Sequence, residues 1–270
     1  MSSLRIASLQ PSITLTLARL DRLDTLVACT RYCLQSVPAL RQAGLTVVAD
    51  SWSSTTEELR EARPNLVLAS VPYREETLAA ILRTGTPVVT LAPHTLADVL
   101  MDIRLLAAIV DARAAGEALC GEIEAEIAHV RSATASLPRP RMYCEEWGKP
   151  PIHSQPWVAE LVEAAGGEFV GEPGKVTTLD AVAGSDPDVL GFAWCGAGDR
   201  VPLGRMVAKR GWHQLRAVQQ GRVYCVPDEF LNTPAHTLLE GLHAIAGILH
   251  PEVFPAHPRV IALPDSPIPQ

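Results

Sequence analysis

The first hundred residues alternate between short apolar runs and amphipathic segments. The apolar runs predict β-strands at residues 6–9, 25–29, 45–49, 65–69 and 87–91. The run at 65–69 has the continuous apolar character of a strand buried on both faces of a parallel sheet. Segments between the runs predict helices at residues 13–20, 55–61 and 77–83, the second capped by Thr55 or Thr56. This alternation predicts an α/β domain.

A long helical pattern then interrupts the alternation. Residues 95–136 contain no proline, and apolar residues such as Leu96, Val99 and Ile103 recur at helical spacing until Pro138. We predict one backbone helix of roughly forty residues, about 60 Å long. Two helices with a break near Gly116 are the alternative.

The α/β alternation resumes after the long helical pattern. Strands are expected at residues 141–144, 188–192 and 222–226, and helices at residues 157–165 and 237–249. The predicted fold class is α/β, with two Rossmann-like lobes joined by a single long backbone helix and a ligand cleft between the lobes. The expected divisions are an N-terminal lobe at 1–94, the backbone helix at 95–137, a C-terminal lobe at 138–250 and a proline-rich tail at 251–270.

One short pattern occurs in both predicted lobes. Glu57 lies seven residues before Pro64, which opens the strand at 65–69, and Asp180 lies seven residues before Pro187, which opens the strand at 188–192. In both places an acidic residue begins a short helix that leads into a buried strand. The two lobes are therefore expected to be structural repeats.

Composition excludes several classes of protein. Hydrophobic residues make up 47% of the chain, charged residues 20%, and mean hydropathy is +0.13, as in an ordinary globular protein. The net charge of −7 provides no basic surface for nucleic acid, and no apolar run is long enough to cross a membrane. The N-terminus has neither a signal-peptide pattern nor a lipobox cysteine, so a cytoplasmic location is expected.

Four of the six cysteines fall at or just after predicted strand ends. They are Cys29, Cys33, Cys144 and Cys195. Four thiolates facing one cleft would hold zinc or an iron-sulfur cluster, which makes a cytoplasmic metal-binding or cluster-binding protein the alternative function. No CxxC spacing is present, and the other interpretation is that Cys29 and Cys144 are small buried strand residues.

Signals for catalysis are missing from the sequence. It contains no nucleophile elbow, no glycine-rich phosphate loop and no HExxH motif, and the glycines at 196 and 198 are too few for a dinucleotide fingerprint. We therefore expect a binding protein and not an enzyme.

Several motifs carry a family resemblance. The opening run at 6–14 and the Pro-Asn-Leu-Val run at 64–67 resemble the first strand and the Pro-Asp-Leu-Val strand of class III substrate-binding proteins, the helical-backbone group that serves ABC importers. The more specific motifs are Glu-Trp-Gly-Lys-Pro-Pro at 146–151, the run at 157–167, Cys195-Gly196 and Gly211-Trp212. They are similar to the branch without signal peptides that is described as cobalamin-binding. The resemblance covers residues 4–250.

The resemblance implies a ligand bound between the lobes by loops at the carboxyl ends of the strands. Those loops are rich in aromatic residues although only 5% of the chain is aromatic, which favours a flat or macrocyclic ligand. The expected ligand contacts are Gln10, Arg31, Tyr32, Trp52, Tyr73, Arg74, Glu146, Trp147, Trp157, Trp194 and Phe230. His153 is a candidate axial ligand to cobalt, with a solvated loop histidine as the alternative.

Charge selects among the ligands of this family. The expected loops hold the cations Arg31, Arg74, Lys149 and Arg200 and the acids Glu145, Glu146, Asp199, Asp228 and Glu229. This near balance favours a corrinoid such as cobalamin over haem or an anionic iron-siderophore.

The resemblance also implies a transporter partner. Glu57 and Asp180 match the lobe-surface acids that dock on an ABC permease in this family. Both positions also suit the first turn of a helix, where an acidic side chain is stabilising. A ligand-handling partner of a cytoplasmic enzyme is a third possible role.

Overall fold

The computed structural model describes residues 4–53 and 55–264, which form two compact units, Met1–Glu122 and Ile123–Gln270. The division between the units falls inside the predicted backbone segment. The expected limits of the lobes stay a prediction. No described helix has the length and apolar character that a membrane-spanning helix needs.

The first unit is built on a parallel sheet. Its strands are β1 (Ile6–Ser8), β2 (Leu26–Thr30), β3 (Thr46–Val48), β4 (Leu66–Ser70) and β5 (Val88–Leu91). They lie in the order β3-β2-β1-β4-β5, and every neighbouring pair is parallel. All five predicted strands of this unit are confirmed. The chain turns from one side of β1 to the other between β3 and β4, so the carboxyl ends of β1 and β4 flank a topological switch point.

Helices cover both faces of this sheet. They are α1 (Pro11–Arg19), α2 (Arg31–Ser36), α3 (Thr56–Ala62), α4 (Glu75–Leu82) and α5 (Leu96–Ile109). Ile6 and Leu68 belong to the apolar cluster on one face, and Ala7 and Val67 belong to the cluster on the other. This two-sided burial explains why β4 is apolar from Leu66 to Ala69. The short helix α2 was not predicted.

The long helical pattern forms two helices. After α5, the second helix is α6 (Arg113–Thr134). Asp111 adopts left-handed backbone angles (φ 53°), and the Ala112 N–H donates to the Ala107 carbonyl at 2.8 Å, a Schellman ending that redirects the chain. The single backbone helix is therefore shorter than the roughly forty residues expected, because Leu96–Ile109 forms a separate helix. A single helix, α6, does continue from the first unit into the second.

Gly116 has a packing role and does not mark the break between these helices. A Cβ atom at this position would lie 2.4 Å from the Cβ of Ala107 on α5. The absence of a side chain therefore lets α5 and α6 pack in close contact.

The second unit has a mixed sheet. Its strands are β6 (Arg141–Gly148), β7 (Pro151–His153), β8 (Glu168–Phe169), β9 (Val189–Phe192), β10 (Val223–Cys225) and β11 (Ile261–Ala262). The order is β11-β10-β9-β6-β7, with β8 also paired to β6. The pairs β6–β8, β6–β9 and β9–β10 are parallel. The pairs β6–β7 and β10–β11 are antiparallel. The tail thus contributes an edge strand, β11.

Six helices accompany the second sheet. They are α7 (Pro156–Ala164), α8 (Leu179–Ser185), α9 (Leu203–Arg210), α10 (Arg216–Gln219), α11 (Asp228–Leu231) and α12 (Leu238–Leu249). The predicted helices at 157–165 and 237–249 are confirmed as α7 and α12. Helix α9 was not predicted, and it buries Leu203, Met206 and Val207 in the core of this unit.

The expected repeat is present in both units. Thr55 caps α3 by accepting a hydrogen bond from the Glu58 N–H, and Thr178 caps α8 by accepting one from the Ala181 N–H. Each helix ends in a left-handed residue, Arg63 or Asp186, before a buried central strand begins. The similar spacing in sequence therefore reflects similar helix-to-strand connections.

Candidate functional site

A pocket of about 820 Å³ lies in the second unit at the carboxyl ends of β6 and β9. β7 and β8 pair on one side of β6 and β9 pairs on the other, so these ends form a topological switch point, where open α/β sheets bind ligands. The pocket is lined by Trp147, Gly148, Lys149, Pro150, Pro151, Leu179, Trp194, Cys195, Gly196, Ala197, Pro202, Arg205, Met206, Lys209 and Arg210.

Two tryptophans form the aromatic part of this pocket. Trp147 is 45% exposed, and its indole N–H donates to the Lys149 carbonyl at 2.9 Å. Trp194 is partly buried and packs directly on the backbone of Gly148, where a Cβ atom would lie 2.7 Å from the indole carbon Cζ2. Both rings are therefore held in place before any ligand binds, and both were predicted as ligand contacts.

The buried carboxylate of Glu145 holds the Trp194 side chain in place. Glu145 is completely buried, and its Oε1 accepts from the Trp194 indole N–H at 2.8 Å. The Tyr143 hydroxyl donates to Glu145 Oε2 at 2.5 Å, and Arg210 donates to both carboxylate oxygens at 2.8 Å. Burial is the main reason that the pKa of Tyr143 is raised, so this hydroxyl stays protonated and donates. These hydrogen bonds therefore fix the orientation of the Trp194 indole, which lines the pocket.

Arg210 links this network to the surrounding aromatic rings. Its guanidinium lies 4.8 Å from the ring centroid of Trp212 and 5.6 Å from that of Phe192. Its charge is already matched by Glu145, with side-chain exposures of 7% and 0%. Arg210 therefore acts as a support for the pocket wall, and its charge is not free for a ligand.

The charge of the pocket differs from the expected balance. Glu145 is paired internally, Asp228 accepts from the backbone N–H groups of Gly196 and Gly198 at 2.6 and 3.0 Å, and Glu229 pairs with Arg259. No carboxylate stands among the residues that line the pocket. The expected near balance was counted over the loops of both units and stays a prediction, whereas this pocket of the second unit has cations and no carboxylate in its lining.

Sequence reasoning missed the contribution of α9. Arg205 and Lys209 lie four residues apart, as do Met206 and Arg210, and all four line the pocket. Spacing of four places side chains on the same face of a helix. That spacing was readable within residues 203–210, but the segment is only eight residues long and was not assigned as a helix.

Glu146 lies beside the pocket and does not line it. Its carboxylate is partly buried and accepts from the Gln155 amide at 2.6 Å. Burial raises the pKa of Glu146 to about 7, although the hydrogen bond from Gln155 opposes this shift. The Cys195 backbone N–H donates to the Glu146 carbonyl, which joins the ends of β6 and β9.

The predicted contacts of the first unit gather at the carboxyl ends of its strands. The Gln10 amide donates to the Pro72 carbonyl at 3.2 Å across the switch point. Arg31 stacks on Tyr32, with its guanidinium 4.7 Å from the ring centroid, and donates to the Tyr32 hydroxyl.

Farther along the same edge, Arg74 lies 5.4 Å from the ring centroid of Trp52, which is 51% exposed. Tyr73, next in the chain to Arg74, is partly buried. This edge of the sheet therefore presents a cation and aromatic rings, and the role of these residues as ligand contacts stays a prediction.

Two of the predicted contacts, Trp157 and Phe230, and the candidate axial ligand His153 have buried side chains. Trp157 is 3% exposed and donates its indole N–H to the Leu231 carbonyl at 2.7 Å. Phe230 is 5% exposed and packs against His257, with ring centroids 4.9 Å apart. His153 is 5% exposed and packs against Tyr143 and the backbone of Gly171, so its ring is enclosed and not positioned as an axial ligand.

The proposed cysteine site is also wrong. Cys29 and Cys33 are buried in an apolar cluster of the first unit, and Cys144 is buried in the second, whereas Cys195 is exposed. Burial raises the pKa of Cys29 and Cys144 to about 12, which opposes formation of the thiolates that bind metal. Within residues 4–53 and 55–264, no three His, Cys, Asp or Glu side chains are grouped to hold a metal ion.

The two expected docking acids are exposed. Glu57 lies in the first turn of α3 and Asp180 in the first turn of α8. They occupy equivalent positions in the two repeats. The structure thus leaves both carboxylates accessible to a partner.

Comparison with known proteins identifies the family. Residues 6–230 match the family model described as periplasmic binding protein, and the chain therefore belongs to that family. The resemblance to class III ABC-transporter substrate-binding proteins is confirmed. A search of curated proteins finds no match.

Solved structures share the fold at low sequence identity. The periplasmic heme-binding protein RhuT from Roseiflexus sp. RS-1 is 24% identical, with a TM-score of 0.76 over 92% of this chain and 100% of that one. A periplasmic heme-binding protein from Pseudomonas aeruginosa is 18% identical, with a TM-score of 0.79 over 96% and 97%. The periplasmic vitamin B12-binding protein BtuF of Vibrio cholerae is 22% identical, with a TM-score of 0.72 over 91% and 96%.

Proposed function

We propose that this protein binds a corrinoid, or a related tetrapyrrole metal chelate, without chemically changing it. The pocket at the ends of β6 and β9 carries the proposal, because its volume of about 820 Å³ falls in the range of small-molecule sites. Two preorganised indoles, Trp147 and Trp194, provide flat apolar surface for a macrocycle. Similar folds occur in proteins described as heme-binding and vitamin B12-binding, which supports this ligand class.

The affinity would come mainly from burial of aromatic surface. Trp147 is 45% exposed, so a ligand that covers it removes roughly 100 Å² from water. At about 25 cal/mol per Å², this burial contributes about 2.5 kcal/mol, or roughly 70-fold in affinity. Preorganisation by Gly148 and Glu145 limits the entropy lost when the rings are covered.

Titration with hydroxocobalamin and with hemin, followed by absorption spectroscopy, tests this function. We expect saturable binding of at least one of these chelates. Trp147→Ala should weaken that binding by about 10- to 100-fold. Trp147→Phe should retain most of the wild-type affinity because it keeps a flat apolar surface. The proposal would be contradicted if neither chelate bound. It would also be contradicted if the alanine variant bound the chelate with the same affinity as the wild type.

We further propose that the bound ligand is delivered to an ABC permease through Glu57 and Asp180. Their exposure at equivalent positions of the two repeats supports this role. Photo-crosslinkers placed at positions 57 and 180 in cells should capture a permease subunit, whereas a crosslinker at Arg131, an exposed residue of α6, should not. The cytoplasmic location expected from the sequence, and a ligand bound between the lobes, stay predictions.

A further inference from the structure

Three cations that form no ion pair within the described part of the chain share the pocket with the two indoles. Lys149 lies in the turn between β6 and β7, and Arg205 and Lys209 lie on one face of α9. All three side chains are exposed. Among the ion pairs of the described residues, none involves any of the three.

The two lysines stand close enough to affect each other. The ammonium group of Lys149 lowers the pKa of Lys209 below its ordinary value, through a side-chain contact and charge repulsion. The two positive charges repel each other, and a negative charge placed between or beside them would offset this repulsion. No carboxylate of the pocket lining supplies that charge.

We propose that the ligand carries acidic substituents, carboxylates or phosphate, which Lys149, Arg205 and Lys209 bind while its ring covers Trp147 and Trp194. This inference rests on the proposed function and narrows its ligand class. The two lysines are placed to share one acidic group, and the planar Arg205 guanidinium suits a bidentate contact with another. The ligand is therefore a macrocycle with at least one acidic substituent, a condition that cobalamin meets through its phosphodiester.

Three corrinoids with the same ring test the charge of the substituents. Cobyrinic acid carries carboxylates, cobalamin carries a phosphodiester, and cobinamide carries neither. We expect cobyrinic acid, cobalamin or both to bind about tenfold or more tightly than cobinamide, and the tighter of the two identifies the acidic group. That preference should weaken as salt is added, because the cations are exposed.

Paired variants assign the preference to the lysines. Lys149→Gln/Lys209→Gln should lose the preference for the acidic corrinoid and bind cobinamide within about twofold of the wild type. Arg131→Gln/Lys175→Gln removes two exposed positive charges that do not line the pocket, and it should keep the preference. Equal binding of all three corrinoids by the wild type, or an unchanged preference in the Lys149→Gln/Lys209→Gln variant, would overturn the inference while the proposed function stands.

A second probe separates failure of the inference from failure of the proposed function. Inorganic pyrophosphate should raise the Tm of the wild type and have a much smaller effect on the Lys149→Gln/Lys209→Gln variant. If neither hemin nor any corrinoid binds but pyrophosphate still stabilises the wild type and the control variant and not the Lys149→Gln/Lys209→Gln variant, the anion site stands and the proposed function fails. If hemin, the corrinoids and pyrophosphate all have no effect, both are overturned.

Discussion

Replacement of Arg210 by methionine would leave the Glu145 carboxylate buried without its cation. The two side chains are 7% and 0% exposed, and Arg210 donates to both carboxylate oxygens at 2.8 Å. Loss of one partner from a buried ion pair costs about 3–5 kcal/mol. Tyr143 and Trp194 still donate to the carboxylate, so we expect the lower end of that range, about 3 kcal/mol.

Urea unfolding followed by tryptophan fluorescence would measure this loss. A Trp52→Phe background makes the signal specific for the second unit. The remaining tryptophans, all in that unit, are Trp147, Trp157, Trp194 and Trp212. We expect Arg210→Met to lower the urea midpoint of this unit by roughly 1 M.

Two further variants test whether the effect comes from a buried charge. Arg216→Met removes an arginine that is 48% exposed and pairs with Asp186 and Asp188, so it should cost less than about 1 kcal/mol. Glu145→Gln/Arg210→Met removes both charges and should be less destabilised than the sum of its single variants. A loss below about 1 kcal/mol in Arg210→Met, or strict additivity in the double variant, would refute the reasoning.

Three other features give direct predictions. Because burial raises the pKa of Glu146 to about 7, its ionisation opposes folding, and stability should fall as pH rises from about 4.5 to 7. In Glu146→Gln the loss of stability caused by this ionisation should be absent from urea midpoints measured between pH 5 and 8. The same pH dependence in the variant and the wild type would contradict this prediction. Gly148→Ala places a Cβ atom 2.7 Å from Trp194, so chelate affinity should drop in titrations, whereas Gly184→Ala, with no atom within 4 Å, should leave it unchanged. Thr178→Ala removes the cap of α8 and should cost about 1 kcal/mol in the same urea assay, with Thr178→Ser close to the wild type.

The strands of the first unit were predictable because local pattern and tertiary environment agree there. A strand buried on both faces is a short, nearly continuous apolar run, as Leu66–Ala69 is in β4. The break between α5 and α6 was not predictable in the same way. It depends on the left-handed backbone of Asp111, which does not alter the helical spacing of apolar residues.

The tryptophans at the strand ends lie in different environments for a related reason. Trp147, Trp157 and Trp194 all lie in or next to loops at strand ends, and the sequence does not separate them. In the structure Trp157 donates to the Leu231 carbonyl and is buried, whereas Trp147 and Trp194 line the pocket. Whether a loop side chain faces a pocket or the core depends on which distant backbone group lies within reach of its N–H.

The sequence by itself determined the two α/β repeats, the helical connection, the family and the aromatic character of the strand-end loops. Those features follow from periodicity and short motifs, which are local properties of the chain. The charge of the pocket was decided only by the tertiary structure. Glu145 and Arg210 are 65 residues apart, and Asp228 and Gly196 are 32 apart, yet each pair is joined by hydrogen bonds. Counting charges along the chain treats every acid as available to a ligand. Folding pairs Glu145 with Arg210 and turns the Asp228 carboxylate toward two backbone N–H groups, while Lys149, Arg205 and Lys209 line the pocket.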